Sequence, residues 1–142
     1  MRALDLAKYI INTSKKGLSN LELQKTMYFV ELDYCKNTKK HLVDDDFEAW
    51  QYGPVVPEVY WKYRNYGACS IDATDDGIDL NNICADEIKI INSSIIRCNK
   101  KYSWDMVAES HREDGAWKKT IDKGLAIIGK ELIREEALKY GI

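Results

Sequence analysis

The sequence predicts a mainly α fold of the α+β class, a compact bundle of about six helices with a small β-hairpin or short antiparallel sheet. Apolar residues recur at helical spacing through most of the chain. Both prolines fall within one stretch, 47–60 (FEAWQYGPVVPEVY), whose first residues alternate between apolar and polar as a strand does. Because 142 residues without a repeat or a linker match the usual domain size, we expect a single domain, 1–142.

The first two helices are marked by their periodicity and by their caps. Apolar positions within residues 3–15 line one face of an amphipathic helix, which Gly17 ends. Ser19 and Glu22 have the spacing of a capping box, so a second helix should start at residue 20 or 21. This helix is apolar on every side over residues 27–30, and we therefore expect it to be the spine of the core.

The stretch 47–60 is predicted to contain an extended segment, a rigid corner and the start of a helix. The pair Gly53-Pro54 predicts the turn that ends the extended segment. Pro57 suits the first position of a helix, because the amide that proline lacks would have no partner there. We expect this helix to continue to Tyr66, with Gly67 at its C-cap.

Further elements are predicted in the second half of the chain. The pair Asp76-Gly77 predicts the turn of a small hairpin. A long helix is expected over about residues 82–102, after which Ser103 predicts the N-cap of a short helix that holds Trp104.

The last part of the chain is predicted to run from a loop through a short strand into a helix. The loop is 110–120 (SHREDGAWKKT), the strand 125–128 and the helix 130–140. In this helix the acidic residues are expected to face outward and the apolar residues inward: Glu131, Glu135 and Glu136 against Leu132, Ile133, Ala137 and Leu138.

Composition argues against several classes of function. The chain has 21 basic and 23 acidic residues, a net charge of −2, so neither a nucleic-acid partner nor DNA mimicry is expected. No signal peptide or membrane span is predicted, which favours a cytoplasmic protein with reduced thiols. The cysteines form no CxxC pair and are expected to be small buried hydrophobes: Cys35, Cys69, Cys84 and Cys98.

Two acidic segments raise the question of a metal site. Three aspartates at 44–46 are adjacent, but neighbouring loop residues point in different directions, so we interpret them as a solvated turn. Residues 72–83 resemble a calcium loop in part, yet Ile83 stands where a bidentate glutamate is required. We therefore expect no metal and no cofactor.

The two histidines are the main candidates for catalysis. His41 is expected at the surface, in a loop beside lysines. His111 is followed by Asp114 and Trp117, and could serve as the acid/base group of a small hydrolase or as a structural cross-link between the last helices. We favour the structural role and assign no catalytic residue, because no HExxH, GxSxG or glycine-rich phosphate loop is present.

Aromatic residues are concentrated in one region. Six fall within 17 residues, more than one face of a helix can bury: Trp50, Tyr52, Tyr60, Trp61, Tyr63 and Tyr66. An exposed cluster of Tyr and Trp is typical of a protein interface. The candidate partner-binding residues are Trp50, Tyr52, Trp61, Tyr63 and Tyr66, with Trp61 and Tyr63 the strongest.

Three blocks together resemble the signature of the SocA-like antitoxin family, also called the Panacea domain or the phage-associated GepA-like family. The blocks are 21–31 (LELQKTMYFVE), 47–60 and 110–120, in the family's order. The chain departs from the family in having Thr26-Met27 where Leu-Leu is common and Ala116 where proline is common. The residues that carry the resemblance are Gln24, Lys25, Tyr28, Trp50, Tyr52, Gly53, Pro54, Pro57, Tyr60, His111, Asp114 and Trp117.

The resemblance implies a mainly helical, protein-binding domain without enzymatic activity. Members of the family neutralise toxins encoded beside them, by direct binding or, as an adaptor, by delivering the toxin to an AAA+ protease. Some relatives from phages and other mobile elements block host defence proteins. The resemblance thus implies an antitoxin with a protein partner, and as the alternative an anti-CRISPR-like inhibitor of a host defence protein. Neither the partner nor the oligomeric state follows, because a shared fold does not determine a partner.

Overall fold

The computed structural model describes residues 1–74 and 77–140, and in these residues the chain forms seven α-helices and a three-stranded sheet. The helices are α1 Ala3–Thr13, α2 Asn20–Thr38, α3 Pro57–Tyr63, α4 Ala85–Asn99, α5 Ser103–Ser110, α6 Ala116–Asp122 and α7 Lys130–Tyr140, and the strands are β1 Phe47–Trp50, β2 Gly53–Val55 and β3 Ile127–Ile128. This architecture confirms the predicted mainly α fold with a short antiparallel sheet. No helix within the described ranges is long and apolar enough to cross a membrane.

Helix α2 is the centre of the fold, as its all-round apolar composition predicts. It packs against five other helices, α1, α3, α4, α5 and α7, and against strand β2. Its start is the predicted capping box, in which the Glu22 amide donates to Ser19 Oγ over 3.2 Å and the Ser19 amide donates to Glu22 Oε1 over 3.1 Å. Lys39, with φ 64°, ends the helix in the left-handed conformation.

The sheet has the strand order β2-β1-β3, with both pairs antiparallel. Glu48 lies opposite Val55 in the first pair and opposite Ile127 in the second. The tight turn between β1 and β2 consists of residues 51–52. The prediction of a turn at Gly53-Pro54 was wrong, because both residues lie in β2. Proline is tolerated there because β2 is an edge strand, whose outer side needs no amide donor.

Helix α3 begins at Pro57, as predicted from the fixed φ of proline. The α-helical part ends at Tyr63, and a single 3₁₀ turn, Arg64–Tyr66, extends it to Gly67. Gly67 has φ 57°, a backbone conformation that favours glycine after a helix.

Several predicted boundaries in the second half of the chain change. Helix α4 is shorter than expected and begins after Cys84, and Ser103 is the first residue of α5 rather than its cap. The second half of the predicted loop 110–120 is helix α6, whose Thr120 hydroxyl donates to the Ala116 carbonyl over 2.8 Å. The described residues from 68 to 84 form no strand, and Asp76 of the predicted hairpin turn and calcium pattern lies outside the described residues.

Helix α7 has the predicted bounds but not the predicted faces. Glu136 is buried, whereas Leu138 is 45% exposed. Helical spacing places Glu136 on the face of Ile133, three residues before it, and Ile133 is buried. Glu136 is stable in the core because Tyr28, Ala116 and Arg112 contact its carboxylate there.

Three surface expectations are also corrected. Cys35 and Cys98 are buried as expected, but Cys69 and Cys84 are exposed. His41 is not a free surface residue, because its Nδ1 lies 2.8 Å from Oε2 of the buried Glu31. In the acidic segment 44–46, Asp45 Oδ1 accepts a 2.8 Å hydrogen bond from the Ala3 amide at the start of α1, so this aspartate anchors a helix instead of only facing solvent.

Candidate partner-binding groove

Two of the residues that resemble the family signature, Gln24 and Lys25, lie on α2 and hold the strand β2 and the residue that follows it. Gln24 Oε1 accepts a 3.0 Å hydrogen bond from the Val56 amide, and its Nε2 donates to Asn20 Oδ1 over 3.1 Å. Lys25 Nζ donates to the Pro54 carbonyl over 2.6 Å. Consecutive side chains of α2 thus satisfy backbone groups of the segment that joins β2 to α3.

Lys25 is a fully buried cation whose hydrogen-bond acceptor is a neutral carbonyl. No carboxylate in the described part of the chain lies within ion-pair distance of its ammonium. Because burial disfavours the charged form, the pKa of Lys25 falls to about 7. Both protonation states are therefore populated near neutral pH.

Gly53 makes this arrangement possible. Its φ of 112° is unfavourable for any residue with a side chain. A Cβ atom at this position would lie 2.5 Å from Ser110 Oγ and 2.8 Å from Lys25 Cε. The absence of a side chain at Gly53 therefore lets the hairpin approach both α2 and the end of α5.

His111 and Trp117 form a second anchor for the hairpin. Their rings are parallel, with centroids 3.6 Å apart, and Trp117 Nε1 donates a 2.7 Å hydrogen bond to the Trp50 carbonyl. The pKa of His111 is lowered by burial and, to a smaller extent, by the positive charge of Lys25. Its Nε2 is buried and makes no hydrogen bond within residues 1–74 and 77–140. His111 thus contacts Trp117 by ring stacking, whereas the structural role favoured from the sequence was a cross-link by hydrogen bonds.

A buried carboxylate connects α2, α6 and α7. Glu136 Oε1 accepts hydrogen bonds from the Tyr28 hydroxyl and, over 3.2 Å, from the Ala116 amide, while Oε2 lies 3.1 Å from Nε of Arg112. Burial raises the pKa of Glu136 although these donors oppose the change. Burial raises the pKa of Tyr28 well above its ordinary value, and the negative charge of Glu136 adds to the effect.

Asp114 is not brought together with His111. Its carboxylate accepts from Lys139 Nζ and from the Tyr140 hydroxyl on α7, and the Lys139 contact, followed by that of Tyr140, lowers the pKa of Asp114 to about 2. No hydrogen bond links Asp114 to His111 in the part of the chain that the structure describes. The hydrolase hypothesis required such a pair, and the geometry does not supply it. The described residues also contain no group of three His, Cys, Asp or Glu side chains that could hold a metal ion.

A groove of about 820 Å³ lies on the outer side of these anchors, between the start of α2, the hairpin, α3 and the start of α5. We call it the aromatic groove. Its rings are Trp50, Tyr52, Tyr60 and Trp104, and Trp61 adjoins them. Trp50 contacts Tyr60 edge to face, with centroids 5.0 Å apart, and Tyr60 contacts Trp61 at 5.5 Å. Between the hairpin and α5, Tyr52 contacts Trp104 at 5.4 Å.

The candidate contact residues divide by exposure. Trp61 is 54% and Tyr52 49% exposed, and Trp50 is half-buried. Tyr63 is buried, so the prediction that it offers a contact surface was wrong, and Tyr66 packs half-buried against the core. Tyr63 faces the core because it lies four residues after the buried Val59.

Sequence reasoning missed Trp104. This residue is 61% exposed, although it was grouped with the apolar residues of its short helix. Helical spacing did not reveal this exposure, because Val107, three positions later and therefore on the same face of the helix, is buried.

Comparison with known proteins identifies the family of the chain. The family model described as antitoxin SocA-like, Panacea domain matches residues 23–118, well over half of the chain. Antitoxin SocA of Caulobacter vibrioides (strain NA1000 / CB15N) is 46% identical over 43 residues, which are 30% of this chain and 23% of that relative. The similarity thus spans about a quarter of the relative's length. No solved structure matches the chain. The chain belongs to the antitoxin SocA-like, Panacea domain family.

Proposed function

We propose that this chain is a non-catalytic antitoxin that neutralises a protein toxin by binding it through the aromatic groove. The observation that carries this proposal is the exposure of Trp61, Tyr52 and Trp104 around one groove. Rigid aromatic side chains supply large contact areas at low entropic cost and dominate the energetics of protein interfaces. Membership of an antitoxin family supports a toxin as the partner.

The anchors beneath the groove explain how one fold could serve different partners. Gln24, Lys25 and Trp117 bind backbone groups of the hairpin, so they shape the groove without offering much of their own surface. Trp61 and Trp104 project from the rim and make no hydrogen bond within the described ranges. The inner residues thus support the groove, and the rim residues select the partner.

The first experiment is co-expression with the product of the adjacent gene. We expect that product to arrest growth alone, to be harmless when this chain is present, and to co-purify with it. Trp61→Ala and Trp104→Ala should each weaken the complex at least ~10-fold, as truncation of an interface hot spot does. Leu125→Ala is the matched control, since Leu125 is 58% exposed and does not line the groove.

An adjacent product that is harmless or forms no complex would contradict the antitoxin proposal. A stable complex with a purified host defence protein would then support the alternative, an inhibitor of such a protein. A complex with the toxin that is unaffected by Trp61→Ala and Trp104→Ala would show that the antitoxin binds by another face.

Direct masking and delivery to an AAA+ protease are distinguished by the lifetime of the toxin. We place the activity in the cytoplasm, where both routes are available. Masking predicts that toxin levels remain constant when this chain is induced. Delivery predicts that the toxin disappears in cells with the protease and accumulates in cells without it, and that growth arrest then returns.

A further inference from the structure

The aromatic groove has more basic than acidic lining residues although the whole chain has a net charge of −2. Three of its lining residues are acidic or basic, namely Glu22, Lys25 and Arg64. The Glu22 carboxylate is already engaged, because it lies 3.4 Å from Lys16 Nζ and accepts a hydrogen bond from the Ser19 amide. Neither Lys25 nor Arg64 has a carboxylate within ion-pair distance in the described ranges. The groove therefore has two uncompensated basic groups and one compensated acid.

Arg64 is placed where an incoming partner would meet it. The residue is exposed and follows α3 directly, and its guanidinium carbon lies 5.0 Å from the centre of the Trp61 ring. Stacking on an aromatic face limits the motion of the guanidinium and leaves its N–H groups free to bind a carboxylate. A planar guanidinium pairs with a carboxylate through two parallel hydrogen bonds, so the position favours Asp or Glu.

Lys25 adds a second basic group beneath the floor of the groove, and its protonated form is a buried positive charge. Its ammonium is satisfied by one carbonyl only, and the surrounding apolar groups screen it less than water does. A basic segment in the groove would place like charges close to both Lys25 and Arg64. An acidic segment would place opposite charges there.

We propose that the aromatic groove binds an acidic segment of the partner, with an Asp or Glu carboxylate on Arg64 and flanking apolar side chains against Trp61, Tyr52 and Trp104. This inference rests on the proposed antitoxin function and specifies the chemistry of the bound surface. Complementary charge selects the partner and its orientation, and the aromatic contacts supply most of the affinity.

Short peptides test the chemistry without a toxin. The probes are three acetylated, amidated pentapeptides with a glutamate, a glutamine or a lysine between two phenylalanines and terminal glycines. We expect the glutamate peptide to bind at least ~10-fold more tightly than the lysine peptide in titrations followed by ¹⁵N–¹H spectra. The indole signals of Trp61 and Trp104 should shift, whereas that of the buried Trp117 should not. Equal affinities, or no binding by any peptide, would overturn the inference.

Two variants test the contribution of Arg64 to peptide binding. Arg64→Gln should reduce the preference for the glutamate peptide over the glutamine peptide about three- to tenfold, in line with the loss of one partly exposed ion pair. Lys62→Gln is the control, because it removes the same charge from the same region at an exposed residue that does not line the groove. A preference that survives Arg64→Gln would also overturn the inference.

The toxin complex separates failure of this inference from failure of the proposed function. If Trp61→Ala weakens the complex and Arg64→Gln does not, the proposal that the groove binds an acidic segment is wrong, and the proposed antitoxin function stands. If no toxin complex forms, the antitoxin function is wrong, and the peptide titrations still decide whether the groove selects acidic segments.

Discussion

Lys25 Nζ on the central helix donates its hydrogen bond to the carbonyl of Pro54 in the edge strand β2, over 2.6 Å. This bond joins the most buried helix to the most distinctive stretch of the sequence. It also places an amine in the core with no carboxylate beside it in the described structure. The resulting decrease in the pKa of Lys25, to about 7, has a measurable consequence for stability.

We expect the free energy of unfolding to rise between pH 7 and pH 9 because of Lys25. Above pH 7 the folded protein releases this proton while the unfolded chain, with an ordinary lysine pKa of about 10.5, retains it, so deprotonation favours folding. One proton corresponds to a slope of at most about 1.4 kcal/mol per pH unit. Urea unfolding of the native protein and of Lys25→Met at pH 6.5, 7.5 and 8.5 measures the difference. Parallel pH profiles would show that Lys25 titrates normally.

Gly53→Ala should destabilise the protein by about 2–4 kcal/mol, since it combines an unfavourable φ with steric overlap at Ser110 and Lys25. Gly124→Ala is the matched control. Gly124 also has a positive φ, 68°, but a Cβ atom there would meet no atom within 4 Å, so only the backbone cost of about 1 kcal/mol remains. Chemical denaturation compares the two variants. Equal losses of stability in the two variants would mean that the close approach of the hairpin to Lys25 and Ser110 does not add to the cost of the substitution.

Trp117→Phe should cost about 1–3 kcal/mol, because the Trp50 carbonyl loses its donor and a well-packed ring is replaced by a smaller one. The same substitution at the exposed Trp104 should change stability by less than about 0.5 kcal/mol. Thermal unfolding followed by circular dichroism provides the comparison. A Trp104 variant as unstable as the Trp117 variant would contradict the division into anchors and rim.

Glu136→Gln should cost about 2–4 kcal/mol. The substitution removes a buried charge that accepts hydrogen bonds from the Tyr28 hydroxyl and the Ala116 amide, and it leaves the half-buried guanidinium of Arg112 without its carboxylate. Glu135→Gln is the neighbouring control, with a side chain that is 62% exposed and 3.5 Å from Lys119, and should change stability by less than about 0.5 kcal/mol. A small loss in urea unfolding of the Glu136 variant would show that its network is dispensable.

Local sequence rules succeeded where the causes were local. The capping box of Ser19 and Glu22, the start of α3 at Pro57 and the bounds of α7 each depend on a few neighbouring residues. The three blocks that resemble the family also lie within short segments, and the family model confirms the resemblance.

The predictions that failed depended on residues distant in sequence. Gly53 was interpreted as a turn residue, but its conformation serves the approach to Lys25 and Ser110, which are 28 positions before it and 57 positions after it. Glu136 was placed outside because a carboxylate normally is, whereas Tyr28, 108 positions away, and Ala116 satisfy it inside. Tyr63 is covered and Trp104 is exposed because the packing of α3 and α5 on the core decided which ring is buried.

By itself, then, the sequence determined the family, the central helix and the corner at Pro57. Only the tertiary structure decided that Lys25, His111 and Trp117 lie beneath the hairpin that contains Gly53, and that Tyr52, Trp61 and Trp104 surround one groove above it. The physical reason is that caps and periodicity act over one or two helical turns, whereas burial and hydrogen bonding of a side chain depend on whatever the folded chain brings against it.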